Sequence, residues 1–224
     1  MEKQLKAFPL KDWEVRALKA HNKTEKRFPI KPQPKFKEGE TGVPELMDDG
    51  SWQFKIQQYE NIWDCPVYPR WQKGDLVYVQ EAWGTYNGDY FLYQADYPDG
   101  AKSYDYDGVK CDMPRWRSST QMTPDIARTF LRIVDVRVKR LQDITEEQAM
   151  AEGCEAGSEN VSGGPWGVED SPEVWTAKEE YAQLWDEAQG KGSLTFYGWD
   201  TNPWCLVYTF EEVKEEDIMR EVNG

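Results

Sequence analysis

The chain has 224 residues and a formal net charge of −14, long enough for one large domain or for one core with long insertions. With 39% hydrophobic residues, 11 Trp and 12 Tyr, it has the material for a core and for aromatic rims around it. Its acidity excludes gripping long nucleic acid through a bulk field, so any nucleic-acid contact has to be local or the ligand small. The charge is unevenly spread: residues 1–40 hold 11 Lys/Arg and 6 Asp/Glu, and the remainder holds 16 and 35.

Four cysteines, Cys65, Cys111, Cys154 and Cys205, form no CxxC pair, and His21 is the single histidine. Neither a metal nor a cofactor is expected from that set. The first residues, MEKQLKAFPLKDW, are interrupted by Lys and Asp and lack the apolar core of a signal peptide. No run is as long as a membrane span. The expectation is a protein of a reducing cytoplasm with packed, free thiols and no membrane contact.

In chain order, DWEVRALKA over 12–20 predicts a short helix, with Asp12 as cap and Trp13, Ala17, Leu18 and Ala20 as its apolar side. The basic stretch NKTEKRFPIKPQP follows, with Lys23, Lys26, Arg27, Lys31 and, just beyond, Lys35. Cations there complement a helix C-terminus, and Pro29, Pro32 and Pro34 favour an extended path. From spacing alone this is a solvated basic loop, although clustered Lys and Arg with Thr and Gln also suit an anion and a polar base edge. Residues 35–62 read as a loop-rich insertion with a small strand at 52–56. Lys73-Gly74-Asp75 is a turn, Leu76–Trp83 a strand, and Asn87-Gly88 a hairpin turn with Asp89–Ala95 returning. Residues 96–112 are polar and Tyr-rich. Thr129–Arg140 is the clearest strand, covered on both faces at its start. Thr145 and Gln148 form a capping box for a short helix that Gly153 ends. Residues 155–171 look mobile. A longer helix begins at Ser171-Pro172, carries Ala177, Tyr181, Leu184, Trp185 and Ala188 on one side, and stops at Gly190. Trp204–Phe210 is a closing strand, and the charged tail is expected to fray. Strands outnumber helices and hairpins join several, which predicts an α+β chain forming one domain over 1–224. Its core is a small, mainly antiparallel β-barrel with peripheral helices and loop insertions near 35–62, 96–112 and 155–171.

Five segments in order resemble a known family. EVRALKAHNKTEKRFPIKPQP, KGDLVYVQEAW, the run from Trp116-Arg117 to Met122 and Arg128, VKRLQDITEEQAMAEG and LWDEAQGKGSLTFYGWDTNPWCLVYTF are similar to segments of ASCH-domain proteins of phages and prophages. That resemblance implies a PUA-like fold, a pseudo-barrel used by RNA-binding and modified-base-reading domains, in the cytoplasm of a bacterial host. Some small relatives in that family are acetylcytidine amidohydrolases. Carried over residue by residue, their Lys falls on Lys23 and their Glu on Glu152. Their nucleophilic Thr falls on Lys26, with Thr24 adjacent and out of register. His21, Lys26 and Phe28 also depart from the family motif.

Three functions compete on these residues. The first is a module that binds RNA, DNA or a nucleoside, with a base, plain, modified or flipped, in a cleft: Lys23, Thr24, Arg27 and Gln33 form one wall, with Glu81 and the aromatics Trp83 and Trp204 facing them, and Arg128 and Asn202 as further contacts. The second is a nucleoside amidohydrolase with Lys23 and Glu152 as catalytic residues and Thr24 or water as nucleophile. The third is an acidic phage protein that occupies a host protein's nucleic-acid groove. Each residue has a plainer reading as well: Glu152 as a surface carboxylate, Arg27 as a helix cap, Glu81 as an ion pair with Arg27, Arg128 as a salt bridge, the Trp rings as core, and Asn202-Pro203 as a turn that fixes Trp204.

Overall fold

The computed structural model describes residues 5–38, 40–56, 66–86, 90–97, 115–159 and 173–223. The elements are β1 (Lys6–Pro9), α1 (Asp12–Lys19), β2 (Glu25–Pro29), β3 (Gly42–Leu46), β4 (Trp52–Ile56), β5 (Leu76–Gln80), β6 (Trp83–Tyr86), β7 (Tyr90–Tyr93) and β8 (Phe130–Arg140). They continue with α2 (Glu146–Ala151), β9 (Gly157–Glu159), β10 (Glu173–Trp175), α3 (Ala177–Gln189), α4 (Leu194–Tyr197), β11 (Trp204–Val213) and α5 (Glu215–Asn223). The chain is an α+β protein. Its main sheet has five strands in the order β1-β5-β8-β11-β2, and β3-β4, β6-β7 and β9-β10 are two-stranded. The sheet is mixed, because β1 runs parallel to β5 while β5 pairs antiparallel with β8 and β2 with β11. No closed barrel is formed by the strand pairings among the described residues.

The chain divides into two compact units, residues 1–21, 73–134 and 210–224 in one and residues 22–72 and 135–209 in the other. In the first, Leu76–Gln80 is buried at every position, so β5 is covered on both faces where an alternating strand would show one to water. The start of β8 is covered likewise, through Phe130, Leu131 and Ile133. Phe8 meets Phe210 edge-on at 5.5 Å between centroids. The tail is helical as α5, and its Ile218 packs with Tyr78 and Phe130, which holds a segment expected to fray. In α1 the buried side is Glu14, Val15 and Leu18, and Asp12 is the first helical residue behind an extended Lys11. The Glu14 carboxylate accepts from the Lys11 amide at 2.8 Å, so this carboxylate caps the helix where Asp12 was expected to.

In the second unit the basic stretch is a strand. β2 pairs antiparallel with β11, Arg27 opposite Val207 and Glu25 opposite Thr209. Pairing with a partner about 180 residues away overrides a local pattern that reads as loop. Residues 35–56 hold the hairpin β3-β4, which has the expected strand at 52–56 and a partner that was not expected. Phe54 meets Trp204 at 4.9 Å, and Trp71 meets Phe28 at 5.3 Å and Tyr208 at 5.2 Å. α2 starts at the Thr145–Gln148 capping box and is followed by Gly153 at φ 97°, as the sequence predicts. α3 begins later than expected, at Ala177 behind a Thr176–Glu179 capping box, because the residues before it pair as β10. Its buried residues are Ala177, Tyr181 and Trp185, and Gly190 at φ 75° ends it. The Asn87-Gly88 turn, most of 96–112 and the Ser171-Pro172 start lie outside the described residues, as do 160–171, expected to be mobile.

No helix among the described residues is long and apolar enough to cross a membrane. Cys154 and Cys205 are free and buried.

Candidate functional site

The sequence-predicted site residues fall into two constellations, one in each unit. In the second unit, the antiparallel bridge between Lys23 and Glu152 and the bond from the Thr24 amide to the Ala151 carbonyl at 2.7 Å set the lead-in to β2 against the end of α2. Along this extended segment Lys23, Glu25 and Arg27 are buried, while Thr24 is exposed and Lys26 half-buried. That is the two-residue alternation of a strand, and it sends the two hydroxyl-register candidates, Thr24 and Lys26, to the side opposite Lys23.

Lys23 Nζ donates to the Glu152 carbonyl at 2.7 Å and to Glu152 Oε2 at 2.9 Å. Arg27 NH1 donates to the other carboxylate oxygen, Oε1, at 2.9 Å. One carboxylate thus serves two cations, and the three side chains are 0–1% exposed. Arg27 NH2 donates to Gln148 Oε1 at 3.2 Å, the same oxygen that accepts from the Thr145 amide in the capping box. On its other side, Arg27 NH1 lies 3.5 Å from Glu25 Oε2. Arg137 binds Glu25 Oε1 and donates to Thr209 Oγ1 at 2.8 Å. The result is a line of alternating charge, Lys23–Glu152–Arg27–Glu25–Arg137, built from β2, β8, β11 and α2. Burial opposes the charge on Arg27, but Glu152, Tyr181 and Glu25 outweigh it and raise its pKa. Burial pushes the Cys205 thiol beside this line far up, which leaves it a packing group.

Gln33 and Asn202, expected at a ligand, spend their polar atoms on the backbone. Gln33 Nε2 donates to the Ile30 and Trp204 carbonyls at 2.7 and 3.0 Å, and the Trp204 amide donates to Gln33 Oε1 at 2.7 Å. Asn202, at φ 44°, accepts from the Gln142 amide at 2.9 Å through Oδ1. Its carbonyl accepts from Arg140, whose guanidinium lies 4.4 Å from the Trp204 ring centroid. Trp204 is buried at the start of β11, with its Nε1 buried and without a hydrogen bond among the described residues.

In the first unit, Glu81 and Arg128 form a two-pronged pair at 2.8 and 2.7 Å, so Arg128 makes the salt bridge of its plainer reading, and the ion-pair alternative for Glu81 holds with Arg128 in place of Arg27. Arg128 NH1 also donates to Asp96 at 2.6 Å, and Lys19 Nζ reaches the same carboxylate at 2.6 Å. Burial raises the Asp96 carboxyl, but the bonds from Arg128 and Lys19 outweigh it and hold it below the ordinary carboxylate value. The Arg128 guanidinium lies 3.8 Å from the Tyr93 ring centroid, and Trp83 is buried with Met122 and Ile126. His21 is an exposed surface residue.

Buried Glu25 and half-buried Gln148, Arg137 and Thr209 also belong to this line, and none of them is among the site residues expected from sequence. A signal for Glu25 was present: Lys23-x-Glu25-x-Arg27 alternates in sign at strand spacing. Among the described residues no group of His, Cys, Asp and Glu is arranged to hold a metal. Comparisons of the chain with protein-family models, with curated proteins and with solved structures find no match.

Proposed function

We propose that the chain is a nucleotide-recognising module of the PUA-like, ASCH kind, taking a base, free or flipped from RNA or DNA, beside the Lys23–Thr24 segment. The observation that carries this reading is the meeting of Lys23 and Glu152. The two were singled out by resemblance from segments 129 residues apart, and their side chains stand 2.9 Å apart. Stability alone is a weak reason to keep such a pair, since apolar replacements of buried ion pairs are often neutral or stabilising. The exposed Thr24 and half-buried Lys26 lie on the outer side of this segment, where a base can reach them, and the buried line of charges fixes the strand that presents them. The finer fold, a PUA-like pseudo-barrel, belongs to the same proposal. The test is calorimetric titration with cytidine, acetylcytidine and short oligonucleotides carrying one modified base, at low salt. Lys23→Met is expected to lose at least tenfold in affinity with its circular dichroism unchanged. No binding by the wild type, or equal binding by the variant, counts against the reading.

The same pair favours a second reading, hydrolysis of an acylated cytidine. Lys23 and Glu152 are close enough to pass a proton between them, as general acid–base catalysis requires. Thr24 faces away from the pair, so water is the nucleophile in this scheme. Release of acetate from acetylcytidine tests it, and activity that survives Lys23→Met removes the mechanism.

A further inference from the structure

The β6-β7 hairpin carries a ring-and-arginine surface that the reading above does not use. Trp83 pairs opposite Tyr93 and Thr85 opposite Phe91, so these four side chains leave one face of the hairpin. Trp83 is buried, and its ring meets Phe91 at 5.8 Å, while Phe91 is 47% exposed. The Arg117 guanidinium lies over the Trp83 ring, 4.7 Å from its centroid. Its backbone exchanges bonds of 3.3 and 2.7 Å with Trp83, which holds the arginine in place. Trp83 Nε1 is buried and makes no hydrogen bond among the described residues.

Arg115 and Arg117 are both exposed, and neither makes an ion pair among the described residues. Arg27, Arg128, Arg132 and Arg137 by contrast each hold a carboxylate. The carboxylates of Glu81 and Asp96 are already taken by Arg128, and Asp96 also by Lys19. In a chain of net charge −14, two exposed arginines without an acidic partner among the described residues, Arg117 stacked on the ring that meets Phe91 and Arg115 two residues before it, leave room for an outside anion with a flat face.

We propose that this face binds a single-stranded nucleic acid. Phe91 takes a base on its ring, and Arg115 and Arg117 take phosphates, with Arg117 pre-oriented by its stack on Trp83. A single strand is favoured over an acidic peptide because the exposed ring matches a base and has no use for a carboxylate. The surface lies wholly in the unit that lacks Lys23, and it needs no modified base.

The experiment is fluorescence anisotropy of the whole chain with labelled oligothymidylate and oligouridylate of about 12 nucleotides, within the range one binding surface covers. Binding is expected at low salt. The double variant Arg115→Gln, Arg117→Gln is expected to weaken it about tenfold or more and to flatten the salt slope by about 1.4, the share of two phosphates on a single strand. Phe91→Ser should weaken it about fivefold or more through lost stacking. All three substituted residues are exposed, so melting temperatures should match the wild type. The proposal is overturned if the wild type does not bind, if both variants bind as it does, or if polyglutamate displaces the strand as well as an unlabelled oligonucleotide does. Lys23→Met separates this surface from the nucleotide reading. Cytidine titration of the two hairpin variants should match the wild type, and loss of oligonucleotide binding in Lys23→Met with none in the hairpin variants assigns the strand to the Lys23 line and removes the hairpin proposal.

Discussion

Glu152 is the residue on which the buried charges depend. Each of its carboxylate oxygens holds a different cation, Lys23 at 2.9 Å and Arg27 at 2.9 Å, and none of the three has water to fall back on. Removing the carboxylate therefore strands two positive charges, whereas removing Lys23 leaves Glu152 paired with Arg27. Glu152→Gln is expected to destabilise the chain by about 3–5 kcal/mol, the range for breaking a buried pair from one side. Lys23→Met should cost less, about 1.5–3 kcal/mol, the worth of hydrogen bonds to a charged group. Urea denaturation of the two variants measures the difference. Equal effects, or a larger loss for Lys23→Met, would mean that Arg27 does not hold Glu152 as the geometry has it. This asymmetry also makes Lys23→Met the usable variant for binding and turnover assays, since it changes the site while keeping a paired carboxylate.

Among the elements, β2 and β11 owe their register at the open end to a side chain. After Ile30 the ladder ends, and Gln33 takes over, donating to the Trp204 carbonyl and accepting from the Trp204 amide as a backbone neighbour would. The Ile30 amide also donates to the Trp204 carbonyl at 2.9 Å, so the carbonyl keeps a partner without Gln33 and the amide loses one. Gln33→Leu is expected to cost about 1–3 kcal/mol, the penalty for a buried donor left unpaired. It should also speed hydrogen exchange at the Trp204 amide, while Gln33→Glu, which keeps the accepting oxygen, should leave that amide protected. A loss below about 0.5 kcal/mol, the ordinary level for a surface change, would show that the ladder does not need the side chain. The same element shows what local sequence carries. β8, β11 and α2 were legible because alternation, a capping box and a stop glycine act within a few residues. β2 was not, because what makes it a strand is Val207 opposite Arg27. The tail was unreadable for the same reason: the cover that holds α5 is Tyr78 and Phe130. In the site, Lys23, Glu152 and Arg27 were singled out through a family resemblance, since spacing alone reads as a solvated basic loop. The line that joins them to Glu25 and Arg137 exists only once β2, β8 and β11 bring them together.

At the scale of the whole molecule, folding ties up part of the basic character of residues 1–40 in buried and surface ion pairs. Lys23 and Arg27 are buried against Glu152, Lys6 is matched to Asp75 and Lys19 to Asp96. What water meets is the remainder of a chain at −14. A long duplex is stiff, with a persistence length of about 150 base pairs, and it has to run across that acidic exterior wherever it touches. A flexible single strand can stay on a small patch. Lowering the salt then acts oppositely on the two. Screening reaches about 8 Å at physiological ionic strength and about 30 Å at 0.01 M, so dilution extends repulsion of the duplex over the whole surface. Duplex DNA of about 30 base pairs, near two-tenths of that persistence length, is therefore expected to show no binding at about 0.15 M salt and no gain on dilution, the reverse of the steep tightening that phosphate-gripping proteins show. Nucleoside binding, which involves no phosphate, should stay level over the same range. Anisotropy titrations at four or five salt concentrations decide the matter. A duplex that binds more tightly as salt falls would place a dominant cationic surface on the molecule and remove the argument that its nucleic-acid contacts are local.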